Sequence, residues 1–399
     1  MALKTLSDNS VDSVVTDPPY GLEFMGKEWD KFNGNRAYAE WVEKWARECL
    51  RVLKPGGHLL AFSGTRTYHA LAWGVEGAGF EIRDMIEWLY LSGFPKSMDV
   101  GKQFDKMAGA EREVLGPSIH HSEGRKVEWG DGNKYGTQEA KGKWVTSPTT
   151  DLAKQWDGWG TALKPAHEPI VVARRPFSGT VAANVEQYGA GAINVDGCRI
   201  GEETTIRVSN AGTSGEGWGM GKHDHVNGSV SGRFPANCVT TDDGEWYSPY
   251  FNVTPQEISK KATKKDRNSD WQGNPIDMPE RDAPKMGNVK HRLGSCPVHH
   301  VGLRSGESRY PCGCEVVHDG DYVSKSANHH PTVKPASLMA WLVRLVTPPN
   351  GIVLDPFAGS GSTLVAARRE GFSFIGIERE AEYVEITSKR AGVKSSEGA

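Results

Sequence analysis

At 399 residues, with 47 basic and 50 acidic side chains and a formal net charge of −3, the chain has the size of one large domain or two ordinary ones. A negative balance excludes a globally basic nucleic-acid binder, so affinity for nucleic acid has to come from local clusters. No apolar run approaches the roughly 18 residues of a membrane span, and no secretory leader pattern opens the chain. Six cysteines in that setting point to reduced thiols, not a disulfide frame.

In chain order, the first strong signal is Ser13 to Thr16, a short apolar and β-branched strand that runs into Asp17-Pro18-Pro19-Tyr20. Two prolines have no N–H for a ladder and fix φ, so the strand stops there. Ligands of open α/β sheets bind outside the carboxyl ends of strands, and this end carries a carboxylate, a stiff carbonyl and an aromatic ring. Asp17 and the Pro18 carbonyl can accept the two N–H bonds of an exocyclic amine, and Tyr20 offers a stacking face. The plain alternative is a strand-ending Pro-Pro turn with a solvated aspartate. The tetrapeptide alone does not choose between them.

Gly21 to Arg36 is polar and aromatic, a segment suited to folding over a ligand. Tyr38 to Leu53 is an amphipathic helix with Trp41, Val42, Trp45, Cys49 and Val52 at helical spacing, stopped by Pro55-Gly56-Gly57. A strand over His58–Ser63, a helix over Thr65–Glu76 and a strand over Phe80–Leu91 follow, the alternation of a doubly wound sheet. Gly93 opens a polar insertion that contains a short helix near Val100 to Met107. His167-Glu168-Pro169 and the apolar run to Arg174 return to β character, read as an antiparallel strand pairing with Phe80–Leu91.

A second insertion follows, rich in Gly, Ser and Asn between Asn210 and Gly232. It holds the densest basic run, Lys260, Lys261, Lys264, Lys265 and Arg267, then Lys285, Lys290, His291 and Arg292; the alternative is a solvated loop. Cys296 and His299, then Cys312 and Cys314, have the form of a small zinc knuckle with two close ligand pairs. His300 or His318 could replace His299, and free thiols in a loop are the other reading.

Pro335 starts a helix through Val346. Gly351 to Thr363 then reads as strand, glycine turn and helix: Ile352 to Asp355, Pro356-Phe357-Ala358-Gly359-Ser360-Gly361, and a helix from Leu364 to Glu370. A strand from Phe374 ends at the acid Glu378, and Ala381 to Arg390 closes the chain as a helix. Glycines let a backbone approach a ligand, a helix N-terminus presents free N–H groups, and an acid at the next strand tip suits a ribose diol. The absence of a lysine after the glycines rules out a P-loop. Simple helix–strand packing is the competing explanation.

Together, Asp17-Pro18-Pro19-Tyr20, Phe357-Ala358-Gly359-Ser360-Gly361 and His330-Pro331-Thr332-Val333-Lys334-Pro335 resemble the motifs of the β-class DNA amino-methyltransferases, which act on adenine N6 or cytosine N4. The order, catalytic motif first and cofactor loop last, resembles the permuted arrangement of that class. The resemblance implies an α/β fold: a Rossmann-like methyltransferase sheet with helices on both faces, circularly permuted, with large inserted target-recognition segments. It divides the chain into a catalytic half (1–91), an insertion (92–166), a core strand (167–177), a target-recognition and zinc insertion (178–328) and a cofactor half (329–399). S-adenosylmethionine is the implied cofactor, beside the candidate structural zinc, and double-stranded DNA the implied partner. Asp17, Pro18, Pro19 and Tyr20 take the catalytic places. Asp355 to Gly361, Glu378 and Lys334 take the cofactor places.

Asp at the first motif position favours adenine, because cytosine-N4 relatives more often carry Ser. Cytosine N4 remains the alternative, and an inactive DNA-binding protein with a degenerate core is a third. Relatives also carry a short stretch with a Gly-Asp pair before the position of Met1, whose acid contacts the cofactor's adenine; the alternatives are an internal start, a truncated chain, or another residue in that role. The implied setting is the cytoplasm of a bacterial cell, or a phage gene expressed there. A homodimer is compatible with the family, and no nuclease motif is visible in the chain.

Overall fold

A computed structural model of the protein describes residues 2–23, 26–90, 93, 97–117, 126–127, 138–139, 144–206, 229–242, 247–253 and 333–393. Its centre is a seven-stranded sheet made of β1 (Val11–Thr16), β2 (Leu53–Phe62), β3 (Glu81–Leu89), β4 (His167–Arg174), β5 (Cys238–Thr240), β6 (Ile352–Asp355) and β7 (Ser373–Gly376). The strand order is β5-β3-β4-β2-β1-β6-β7. Every neighbouring pair is parallel except β2–β4 and β3–β4, so β4 alone runs against the rest. The antiparallel strand expected from His167 onward is present and pairs with β3, with Leu89 opposite His167.

Helices cover both faces. On one side lie α1 (Gly34–Val52) and α2 (Tyr68–Gly77); on the other lie α5 (Ala336–Val346) and α6 (Ser362–Arg369). The shorter α3 (Val100–Met107) and α4 (Val181–Tyr188) lie in the two insertions, and α7 (Ala381–Ala391) closes the fold. Successive strand residues face opposite ways, and the core follows that alternation. Val14, Leu59, Ala61, Val171 and Leu354 pack with α1 and α2, while Val15, Leu60, Phe62, Ile170, Val172 and Val353 pack with α5 and α6. A strand buried on both faces is near-continuously apolar, which explains the unbroken runs Leu59–Phe62 in β2 and Ile170–Ala173 in β4. Each fully buried Leu or Val contributes about 1.5–3 kcal/mol, so this double layer is the main source of stability.

Three elements differ from the sequence expectation. α1 begins at Gly34, about a turn before Tyr38. Pro55-Gly56-Gly57 ends α1 but does not delay the strand, because β2 starts at Leu53 and carries those residues in an irregularity of its pairing with β1. Gly57 is required there: a Cβ would lie 2.9 Å from the Asp12 carbonyl oxygen. Finally, the segment 178–328 supplies a strand of the sheet, since β5 pairs with β3 at the edge. Three residues are too few for a periodic signal.

The amino ends of three strands are clamped by one buried carboxylate. Asp12 accepts from the Ile352 N–H at 2.8 Å and from Lys54 Nζ at 2.6 Å, tying β1 to β6 and β2. The α1–α2 crossing is equally close. A Cβ on Gly74 would lie 2.5 Å from the Ala39 carbonyl and 2.7 Å from Val42 Cβ, whereas one on Gly77 would meet only the flexible Glu43 side chain at 3.3 Å. Alanine is the better helix former by about 1 kcal/mol, but overpacking a helix contact costs about 1–3 kcal/mol. Gly74→Ala is therefore expected to lower the urea midpoint, while Gly77→Ala leaves it unchanged or raises it; equal midpoints for the two variants would contradict this crossing.

Candidate active site

The carboxyl ends of β1 and β6 lie side by side, because Ser13 pairs with Val353 and Val14 with Leu354 in parallel register. Asp17 and its loop follow β1, and Asp355 with the glycine turn follows β6. The two motifs flagged in the sequence therefore open at the same sheet edge. Thr16 joins them directly, donating from Oγ1 to Asp355 Oδ1 at 2.7 Å across 339 positions of sequence.

Asp17 is enclosed by three side chains. Tyr20 donates its hydroxyl to Asp17 Oδ1 at 2.8 Å, and Lys334 Nζ donates to Asp17 Oδ2 at 2.7 Å. Lys334 also lies 3.0 Å from the Tyr20 hydroxyl and 3.3 Å from Glu168 Oε2. Tyr20 reaches Glu168 Oε2 at 3.0 Å, and Tyr90 bonds to Glu168 as well. The Lys334 ammonium sits 4.9 Å from the Phe62 ring centroid and 5.3 Å from that of Tyr20, within cation–π range.

Lys334 is only 7% exposed, and burial by itself would favour its neutral form. The carboxylates of Asp17 and Glu168 outweigh that and hold its pKa above the ordinary value. Burial raises the Asp17 pKa, and Lys334 opposes the rise. The Tyr20 phenol is pushed well up, by burial first and then by Asp17 and Glu168, so its proton stays on.

Helix α1 braces both motifs. The Tyr38 hydroxyl donates to the Pro19 carbonyl at 2.7 Å. Phe357 packs against Trp45 (centroids 5.3 Å apart) and Trp41 (5.4 Å). Asp30 holds the start of the next segment, accepting from the Gly21 and Leu22 N–H groups at 2.7 and 3.1 Å. Phe32 stacks into the same aromatic group, 5.1 Å from both Tyr38 and Trp41.

At the glycine turn, Asp355 Oδ1 also accepts from the Phe357 N–H at 3.1 Å. Gly359 and Gly361 have φ of +52° and +80°, values that glycine adopts without strain. Thr387 Oγ1 donates to the Gly359 carbonyl at 2.6 Å, and buried Arg390 donates to the Ser360 carbonyl at 2.6 Å, so α7 fixes the turn from behind. Glu378 reaches in from the end of β7: Oε2 accepts from the Gly359 N–H at 2.8 Å, and Oε1 from the N–H groups of Arg379 and Glu380 at 2.8 and 2.9 Å. The Ser362 hydroxyl, at the first residue of α6, is buried with no hydrogen-bond partner among the described residues. An open buried hydroxyl beside a glycine turn and a helix N-terminus fits a polar ligand laid across the turn.

Asp17, Pro18, Pro19 and Tyr20 thus share one corner. Asp355, Pro356, Phe357, Ala358, Gly359, Ser360, Gly361 and Glu378 share the next. Lys334 belongs to the first and not the second: expected at the cofactor, it is hydrogen-bonded to Asp17. Its place follows from the segment entering α5, which lies against β1 and β2. Glu168 was not foreseen. The signal was available, because an antiparallel strand enters a parallel sheet at its carboxyl edge, which puts an acid at the strand's start beside the site. Cys296, His299, Cys312 and Cys314 lie outside the described residues, as does the basic run from Lys260 to Arg292. Among the described residues no group of three or more His, Cys, Asp or Glu could hold a metal, and no helix is long and apolar enough to cross a membrane.

This sheet and these two corners define an α/β protein with a candidate ligand site at the carboxyl ends of two adjacent parallel strands. The chain belongs to the DNA methylase family of N6 and N4 methyltransferases, whose model matches residues 11–389. The type II methyltransferase M.HindIII of Haemophilus influenzae is 21% identical over 433 residues, spanning 99% of this chain and 93% of that protein. M.HpaI of Haemophilus parainfluenzae, also a type II methyltransferase, is 36% identical over 110 residues, 26% of this chain and 33% of its own length. Among solved structures, the cytosine-N4-specific PvuII DNA methyltransferase aligns at 13% identity and a TM-score of 0.42, covering 97% of this chain and 82% of that one.

Buried Asp355 ties the two motifs together, and burial pushes its pKa up to about 6 against the hydrogen bonds of Thr363, Thr16 and Phe357. Between pH 4 and 6 the unfolded chain releases this proton while the folded chain keeps it, so stability falls as pH rises through that window. A shift of this size corresponds to about 3 kcal/mol. Wild type is therefore expected to gain up to about that much on Asp355→Asn between pH 7 and pH 4, read from paired denaturation curves. A difference independent of pH would contradict the burial of this carboxyl.

Proposed function

We propose that this protein transfers a methyl group from S-adenosylmethionine to the N6 amino group of adenine in double-stranded DNA. One observation carries the reading: the Asp17 corner and the glycine turn after Asp355 occupy adjacent parallel strands bonded through Thr16. A methyl donor and an amine acceptor held at these two places would share one cleft.

S-adenosylmethionine would supply an activated methyl on a sulfonium. The turn from Phe357 to Gly361 and the open Ser362 hydroxyl would bind its amino-acid end, and the remaining lone pairs of Glu378 its ribose hydroxyls. Asp355 holds the turn's first N–H in place. The acceptor is the harder problem, because the lone pair of an aromatic amine is delocalised into its ring. The chain's task is to position that nitrogen and draw it toward tetrahedral geometry.

Asp17 accepts one bond at each oxygen, from Tyr20 and from Lys334, and keeps a second lone pair on each. It would accept one amine N–H, and the Pro18 carbonyl the other. The negative carboxylate would also stabilise positive charge as it grows on nitrogen. The proton can leave after transfer, so Asp17 need not be a strong base. Tyr20 would stack on the base, which has to leave the duplex to reach this depth. The inserted segments are the surface left for reading DNA sequence.

Purified protein, labelled donor and duplex DNA test the reading. Wild type is expected to yield N6-methyladenine on nucleoside analysis, and Asp17→Ala to lose at least about 100-fold in rate. N4-methylcytosine as the product would move the assignment to the cytosine branch. Equal labelling by wild type and Asp17→Ala would remove Asp17 from the chemistry.

A further inference from the structure

We propose that Lys334 donates a hydrogen bond to the ring nitrogen next to the target amine, so that Asp17 and Lys334 together read the amidine edge of the base. The inference rests on the methyl-transfer reading above and names a specificity-determining residue within it.

The first ground is placement. Lys334 Nζ lies 2.7 Å from Asp17 Oδ2, which sets a fixed cation donor beside the acceptor expected to take the amine. Adenine presents an amine donor next to an unprotonated ring nitrogen, N6–H beside N1. Cytosine presents the same edge, N4–H beside N3. Donor and acceptor on the base would meet acceptor and donor on the protein.

The second ground is the donor count. An ammonium has three N–H groups, and here they face Asp17 at 2.7 Å, Tyr20 at 3.0 Å and Glu168 at 3.3 Å. The contact with Glu168 is the longest; the single Tyr20 O–H goes to Asp17, but Glu168 keeps its hydrogen bond with Tyr90 without Lys334. One N–H can therefore turn to a base without stranding a buried carboxylate. Lys334 is also too deeply enclosed, at 7% exposure, to be a surface lysine reaching for phosphate.

The third ground is what the pair would reject. Asp17 alone would accept the amine of guanine as readily as that of adenine. Guanine sets N1–H against the ammonium along its pairing edge, and offers an unprotonated nitrogen beside its amine only at N3, on the edge crowded by the sugar. Thymine would set N3–H against Lys334 and O4 against Asp17. A base that leaves such buried groups unpaired is rejected strongly. Along the pairing edge of the base, the pair thus favours adenine and cytosine over guanine and thymine.

The test compares kcat/KM on duplexes carrying adenine or 1-deazaadenine, in which C–H replaces the ring nitrogen, at the methylated position. A hydrogen bond from a charged donor contributes about 10- to 100-fold, and wild type is expected to lose that much on the deaza base. The weaker base pair of 1-deazaadenine eases flipping, so the observed loss is a lower bound. Lys334→Met is expected to be slower on adenine but to show no further loss on 1-deazaadenine. Wild type acting equally on both bases overturns the inference, and that arm needs no variant to fold. Equal losses in wild type and Lys334→Met also overturn it, because a lysine that only anchors Asp17 would slow both bases alike. Should cytosine be the methylated base, 3-deazacytosine serves the same comparison. No transfer by wild type to any base would instead overturn the methyl-transfer reading itself.

Discussion

The pairing of β1 with β6 is the contact on which the site depends. It brings residues 11–16 beside residues 352–355, closing a loop of most of the chain. Loop-closure entropy grows only slowly with length, so long insertions between the two strands add little to that cost. What has to be strong is the contact itself. The buried ladder is bracketed by Asp12, accepting from the Ile352 N–H near one end, and by the Thr16–Asp355 bond at the other. Asp355 thereby serves fold and site together: the carboxylate that fixes the strand pair also orders the first N–H of the glycine turn.

The second constraint is the charge of the Asp17 corner. Two carboxylates, one ammonium and two phenols with raised pKa values gather there, a formal net charge of −1 with both acids counted as ionised, in a largely buried setting. Buried charges are costly unless paired and hydrogen-bonded, and this group meets the condition through Lys334, which bonds or pairs with three of its members. The surplus negative charge comes from Glu168. In the proposed reaction, a site that draws positive charge onto an amine, opposite a cationic sulfonium donor, would be better served by an anionic frame than by a neutral one. Removing Lys334 would leave two carboxylates facing each other, which is why a neutral substitution there is expected to disturb Asp17 and Glu168 together.

Much of this was legible in the sequence, and the reasons differ by element. β1, β2, β6 and α1 were readable because their apolar patterns are strong and local. Asp17 and Gly359 announced themselves through residues that restrict or free the backbone: two prolines after one strand, two glycines after another. Glu168 did not, because its meaning depends on strand direction. The same acid at the start of a parallel strand would lie at the opposite edge of the sheet, far from the site. Lys334 was visible as a residue, but the resemblance of its segment pointed to the cofactor, while the start of α5 carries it to hydrogen-bond Asp17 beside β1 and β2. β5 was missed because three residues have no periodicity, and its place is set by β3, about 150 positions away.

Tyr20 shows how the corner controls geometry as well as charge. A phenylalanine would offer the same stacking face, but only hindered by packing from turning about its side-chain bonds. The Tyr20 hydroxyl is held by Asp17 at 2.8 Å, Glu168 at 3.0 Å and Lys334 at 3.0 Å, which fixes the plane of the ring relative to the carboxylate. In the proposed reaction, a base stacked on that ring would inherit the alignment, and its amine would arrive in a set direction from Asp17 rather than in a distribution of directions. In-line methyl transfer tolerates little angular error. The hydroxyl therefore contributes by restricting the platform before the base arrives, an ordering cost met during folding instead of during catalysis.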